Sequence, residues 1–73
     1  MARLGLDASR FAKGDPRDIN HFHAIIDDDG QGETTIGSLS LFANGTASVR
    51  DDANGKVVMF DNHADATAYA LAL

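Results

Sequence analysis

The sequence predicts an α+β domain: a single four-stranded antiparallel sheet, built as a meander, with a short N-terminal helix and a C-terminal helix. Three observations predict it. Asn-Gly pairs at 44–45 and 54–55 separate short runs rich in β-branched and apolar residues, the arrangement of tight hairpin turns. The stretch INHFHAIID alternates with the period of a strand. The run 61–73 is dense in alanine and leucine behind a capping Asp-Asn pair. The 73 residues leave room for one domain, 1–73, with a modest core.

In chain order, LDASRFAKGDP reads as a helix of about two turns. Asp7 or Ser9 caps its start, Lys13 suits its last turn, and Gly14 and Pro16 stop it. Leu4, Ala8, Phe11 and Ala12 give it a small apolar face. INHFHAIID follows as a strand whose inner face is Phe22, Ala24 and Ile26, leaving His21, His23 and Ile25 on the other. DDGQGE is a loop, and TTIGSLSLF a second strand. TASVRD and KVVMF are the third and fourth, each entered through an Asn-Gly turn.

Two-residue loops at both turns would set Phe42 opposite Ala47, Ser40 opposite Val49 and Val49 opposite Phe60. Phe42, Val49, Val58 and Phe60 then share one face, and Leu39, Leu41, Val57 and Met59 the other. Both faces are partly apolar, so the second needs a cover. The final helix begins at an Asp61 or Asn62 cap and presents Ala, Tyr69, Leu71 and Leu73 in a narrow stripe.

Composition narrows the function. The net charge is −5, and its distribution is uneven. Residues 1–20 net +1, whereas residues 21–73 net −6, with only Arg50 and Lys56 against eight carboxylates. Such a body repels a phosphate backbone, so direct nucleic-acid binding is disfavoured and a protein partner with a basic surface is favoured. Cysteine is absent, which removes disulfides and thiolate chemistry. No signal-peptide pattern opens the chain and no apolar run approaches the ~20 residues of a membrane span, which points to the cytoplasm.

HFHAIIDDDG is the stretch most suggestive of chemistry. His21 and His23 project from one face of a strand, as in some zinc enzymes, but such a site needs a third ligand that the spacing does not supply. In an EF-hand register Asp27, Asp29 and Gly30 fit, but Ile25 and Ile36 occupy two ligand positions, so calcium fails. No nucleophile elbow, P-loop or dinucleotide fingerprint is present. No catalytic residue, metal ligand or cofactor is therefore assigned. A small metal-dependent, nuclease-like enzyme centred on His21 and His23 stands as the alternative. A structural or regulatory homo-oligomer, a homodimer through a sheet face, is a third reading.

The stretch FANGTASVRDDANGKVVMFDNHADATAYAL, residues 42–71, resembles in layout small phage-encoded anti-CRISPR proteins, particularly inhibitors of type I surveillance complexes. The resemblance implies a non-enzymatic inhibitor made in the host cytoplasm, one that binds a CRISPR effector on its basic DNA-binding surface. It carries over no individual residue. The partner-binding residues expected from charge alone are Asp27, Asp28, Asp29 and Glu33 in one loop and Asp51 and Asp52 beside another.

Overall fold

The computed structural model describes residues 2–8, 10–11 and 19–73. Within them the chain runs β1 (Ala2–Leu4), β2 (Arg10–Phe11), β3 (Ile19–Asp28), β4 (Glu33–Leu41), β5 (Ala47–Asp51), β6 (Lys56–Phe60) and α1 (His63–Leu71). The strands form one antiparallel sheet in the order β1-β3-β4-β5-β6, with β2 also pairing β3. The α+β class and the C-terminal helix agree with the sequence. The four expected strands are present as β3 to β6.

The N-terminal helix is not present among the described residues, and this is the largest correction. Residues 2–4 pair with β3, Gly5 donates its N–H to Ala24 O (2.8 Å), and Ala8 donates to Phe22 O (2.8 Å). Arg10 and Phe11 then pair with Asn20 and Ile19. The segment therefore lines the edge of β3 for most of its length, and the path across the sheet has five strands instead of four. The physical reason is competition. An isolated two-turn helix is marginal, whereas the edge of β3 offers a row of unpaired backbone groups. The expected helix stop at 12–16 lies outside the described residues.

The second correction is one of register. Phe42 donates its N–H to Thr46 O (2.9 Å) and Gly45 donates to Phe42 O (3.1 Å), so the β4–β5 loop has three residues, Ala43, Asn44 and Gly45. Gly45 sits at φ 94, where a side chain would be strained, and Asn44 Oδ1 accepts from the N–H and hydroxyl of Thr46. One extra loop residue shifts the pairing by one, and that turns the strand over. Leu39 faces Val49 and Leu41 faces Ala47. Leu39 and Leu41 thus join Val49, Val58 and Phe60 on the inner face, and Phe42 leaves it. The β5–β6 loop is longer too: Asp51 pairs with Lys56 around Asp52–Gly55, and Val49 faces Val58. A shift of two keeps the faces unchanged, so Val57 and Met59 lie on the outer face as expected.

The inner face of β3 is likewise reversed. Ile25 is fully buried, and by alternation His23 and His21 share its face, while Phe22, Ala24 and Ile26 lie on the other. Ile25, Leu39 and Val49 are the largest fully buried side chains, each worth about 1.5–3 kcal/mol of transfer free energy. Helix α1 covers them with Ala66 and Ala70, whose small side chains bring the helix close to the sheet. Asn62 caps it reciprocally: its Oδ1 accepts from Asp65 N–H (2.8 Å) and its amide donates to the Asp65 carboxylate (3.0 Å). Phe60 meets Tyr69 with ring centroids 5.4 Å apart.

Between Ile25 and Ile26 the β3–β4 register slips, leaving Ile36 as the extra residue of a bulge beside Gly37. A Cβ on Gly37 would lie 2.2 Å from Arg50 O and 3.4 Å from Ile25 Cδ1. Gly37→Ala therefore forces β4 from β5, with an expected loss of about 2–4 kcal/mol. Gly32→Ala, which meets nothing within 4 Å, serves as the neutral control. Urea denaturation of both variants checks this, and equal midpoints would contradict the close approach.

Candidate functional site: the acidic end of the sheet

In a meander, alternate turns fall at the same end of the sheet. The β3–β4 loop and the β5–β6 loop share one end, so the structure brings Asp27, Asp28, Asp29 and Glu33 to the same end as Asp51 and Asp52. They are not clustered at a point. β5 ends at Asp51 opposite Gly37, whereas β4 continues through 33–36, so the β3–β4 ribbon projects about 13 Å further. Asp28, Asp29 and Glu33 are exposed near the ribbon tip and Asp52 is exposed at its root, whereas Asp27 and Asp51 are half-buried.

Much of this acidity is turn chemistry. Asp28 Oδ1 accepts from Gly30 N–H (3.0 Å), Asp29 Oδ1 from Gln31 N–H (2.9 Å), and Asp51 Oδ1 from Ala53 N–H (2.9 Å). These bonds let three aspartates fold the loops while keeping their charge at the surface. Gly30 takes φ 86 inside the first loop, as that turn requires.

Cations that the sequence reading did not place stand among the carboxylates. Arg3 Nη2 donates to Glu33 Oε1 (2.5 Å), across the sheet from β1 to β4. Arg50 Nε lies 3.7 Å from Asp52 Oδ1, and Lys56 pairs with Asp51 in the β5–β6 ladder. Both ion pairs are roughly half exposed, so each adds little stability, but together they trim the negative potential. Arg3 was invisible because its strand, Ala2–Leu4, precedes the expected helix and carries no strand signal of its own. Arg50 is separated from Asp52 by one residue and was legible in principle.

His21 and His23 are held by the N-terminal segment that follows β1. His21 Nδ1 lies 2.5 Å from Asp7 Oδ2, and His23 Nδ1 lies 2.9 Å from Gly5 O, to which it donates. His63 is at the far end of the sheet, donating from Nε2 to Phe42 O (3.0 Å). Among the described residues, no three His, Asp or Glu side chains stand close enough together to hold a metal ion. The third ligand required by the metal-enzyme alternative is thus not supplied by those residues. No helix among the described residues is long and apolar enough to cross a membrane.

Fold and site together define a small antiparallel α+β domain with an acidic ribbon at one end. Comparison with protein families, with characterised proteins and with solved structures gives no match.

The turn role and the charge of the aspartates can be separated. Asparagine accepts the same backbone hydrogen bond, so Asp28→Asn, Asp29→Asn and Asp51→Asn are expected to change stability by no more than about 0.5 kcal/mol each. The alanine variants lose the bond, and Asp51→Ala is expected to cost about 1 kcal/mol. Thermal unfolding of the six proteins checks this; indistinguishable Asn and Ala variants would contradict the turn role.

Proposed function

We propose that this chain is a non-enzymatic protein-binding module whose acidic end docks on a basic surface of a partner protein. The observation that carries the reading is the placement of six carboxylates, from two separate hairpins, at one end of one sheet. Three of them are held by their own turns, so the charge is presented on ordered backbone and binding orders little new structure. Negative charge carried on a projecting ribbon suits steering toward a Lys/Arg-rich groove, and fits a surface that itself binds nucleic acid. The layout resemblance of residues 42–71 supplies a concrete candidate: the DNA-binding surface of a type I CRISPR surveillance complex, which the chain would block as a phage-encoded, anti-CRISPR-type inhibitor acting in the host cytoplasm.

Competition measures this directly. The chain is expected to displace target DNA from a purified type I complex, less effectively as salt rises. A variant carrying Asp→Asn at 27, 28, 29, 51 and 52 and Glu33→Gln keeps the turns and loses the charge. Its inhibition is expected to weaken by about tenfold or more. Undiminished inhibition by this variant would overturn the acidic-docking reading, and no inhibition by the native chain would overturn the CRISPR assignment.

A further inference from the structure

The sequence contains the tripeptide Ala-Asn-Gly twice, at 43–45 and at 53–55, in exposed turns at opposite ends of the sheet. Asparagine is a labile residue, and it is most so before glycine, which has no Cβ to keep its backbone nitrogen from the asparagine Cγ. Locally the two turns are built alike. Gly45 and Gly55 both take positive φ, 94 and 71, and donate their N–H groups to Phe42 O (3.1 Å) and Asp51 O (2.8 Å). Asn44 Oδ1 accepts from Thr46 N–H (3.0 Å), and Asn54 Oδ1 from Lys56 N–H (2.8 Å). In each turn the glycine nitrogen and the carboxamide must leave these bonds before they can react with each other. The rate is then set by how readily the turn opens, and by what must open with it.

That differs between the two. The turn at Asn44 joins β4 and β5, each of which has a neighbouring strand on both sides. It is also fastened from other elements. Asn20 of β3 accepts from Ala43 N–H (3.0 Å), His63 of α1 donates to Phe42 O (3.0 Å), and the Thr46 hydroxyl gives Asn44 Oδ1 a second bond (2.6 Å). Opening this turn disturbs β3 and the helix. The turn at Asn54 leads instead into β6, which among the described residues pairs only with β5. Its last bond to another strand, Asp52 N–H to Ile36 O (3.0 Å), comes before the pair. From Ala53 to Lys56 the turn is held by bonds within 51–56, and these four residues are exposed. They can open with the start of β6 while the core stays closed.

We propose that Asn54 is a site of spontaneous deamidation, and that the fold shields Asn44 in the same tripeptide. In the opened turn Gly55 N gives its proton to solvent and bonds to Asn54 Cγ. The Cγ–Nδ2 bond breaks, Nδ2 takes up a proton and leaves as ammonia, and a succinimide ring closes. Water then opens the ring at one of its two carbonyls. Cleavage of the bond to Cγ gives aspartate, and cleavage at the backbone carbonyl gives isoaspartate, which routes the main chain through one extra methylene. The sum is asparagine and water going to a carboxylic acid and ammonia, with no change of oxidation state. Either product adds a carboxylate beside Asp51 and Asp52, at the acidic end of the sheet. An extra methylene in the turn at Asn44 would disturb the register that sets the core, whereas after Asp51 it reaches only an edge strand. The modification proceeds whether or not the acidic end docks on a partner.

The test incubates the full chain in mildly alkaline buffer at physiological temperature and maps the deamidated peptides by mass spectrometry, with enzymatic methyl transfer to score isoaspartate. Each rate is divided by that of the same asparagine in concentrated urea, where both turns are open. The ratio is expected to be at least about tenfold higher for Asn54 than for Asn44. Asn20→Ala and Thr46→Val each remove one fastening of the other turn. Both are expected to speed Asn44 several-fold and leave Asn54 unchanged, with a native circular dichroism spectrum. Equal ratios, a higher ratio for Asn44, or an Asn54 that stays intact over the time in which the urea-unfolded chain converts would overturn the proposal. An Asn44 rate indifferent to both variants would overturn the account of its shielding.

Discussion

Leu39 faces Val49 because the turn between their strands holds three residues and not two. The rest of the molecule depends on that pairing. Ile25, Leu39 and Val49 are the only large side chains among the described residues that are fully buried, and Ala66 and Ala70 of the helix close over them. A core of this size leaves no reserve: a slip of one residue would carry Leu39 and Leu41 to the outer face and leave Val49 opposite a serine. The turn is accordingly overdetermined. Gly45 adopts a positive φ, Asn44 ties down Thr46, Asn20 accepts from Ala43 N–H (3.0 Å), and His63 donates to Phe42 O. A residue of β3 and the first residue of the helix both fasten the same loop, so strand register and helix position are set together.

The elements were legible in the sequence to the extent that their signals are local. The four strands β3 to β6, the C-terminal helix and both Asn-Gly turns follow from alternation, turn chemistry and capping, all of which act within a few residues. What could not be read is what depends on a distant partner. Asn-Gly announces a turn but not its length, because two- and three-residue loops both use the pair and differ only in which flanking groups bond. The run from Leu6 has a respectable helical signature, yet Ala8, Arg10 and Phe11 bond along β3, since the gain of lining an open edge is tertiary and leaves no local mark. The same error hid the partners of His21 and His23, Asp7 and Gly5, which come from that N-terminal segment. The candidate site was half legible: the six carboxylates were named from composition, but their gathering at one end follows from the meander, and Arg3 beside Glu33 follows from an unforeseen strand.

These corrections change what the chemistry means. HFHAIIDDDG, which invites a reading as an active site, divides at the bulge by Ile25. Before it, the two histidines sit on the inner face, engaged with Asp7 and Gly5 of the N-terminal segment; after it, the chain leaves the core as a ribbon whose aspartates fold their own turn. One stretch thus serves two ends of the structure, and neither half needs a cofactor to explain its residues. Turn-forming aspartates also explain how an acidic surface can be rigid at low cost, since the carboxylate that shapes the loop by accepting its N–H keeps its negative charge.

The core and the outer face of the sheet are both consequences of register, so the register is the claim on which the account rests. Nuclear Overhauser contacts between α-protons measure it directly, because only non-hydrogen-bonded antiparallel pairs bring two α-protons close. Strong contacts between Leu39 and Val49 and between Leu41 and Ala47 are predicted. A contact between Ser40 and Val49 in their place would mean a two-residue turn and an inverted β4, and would contradict the core and the outer face together.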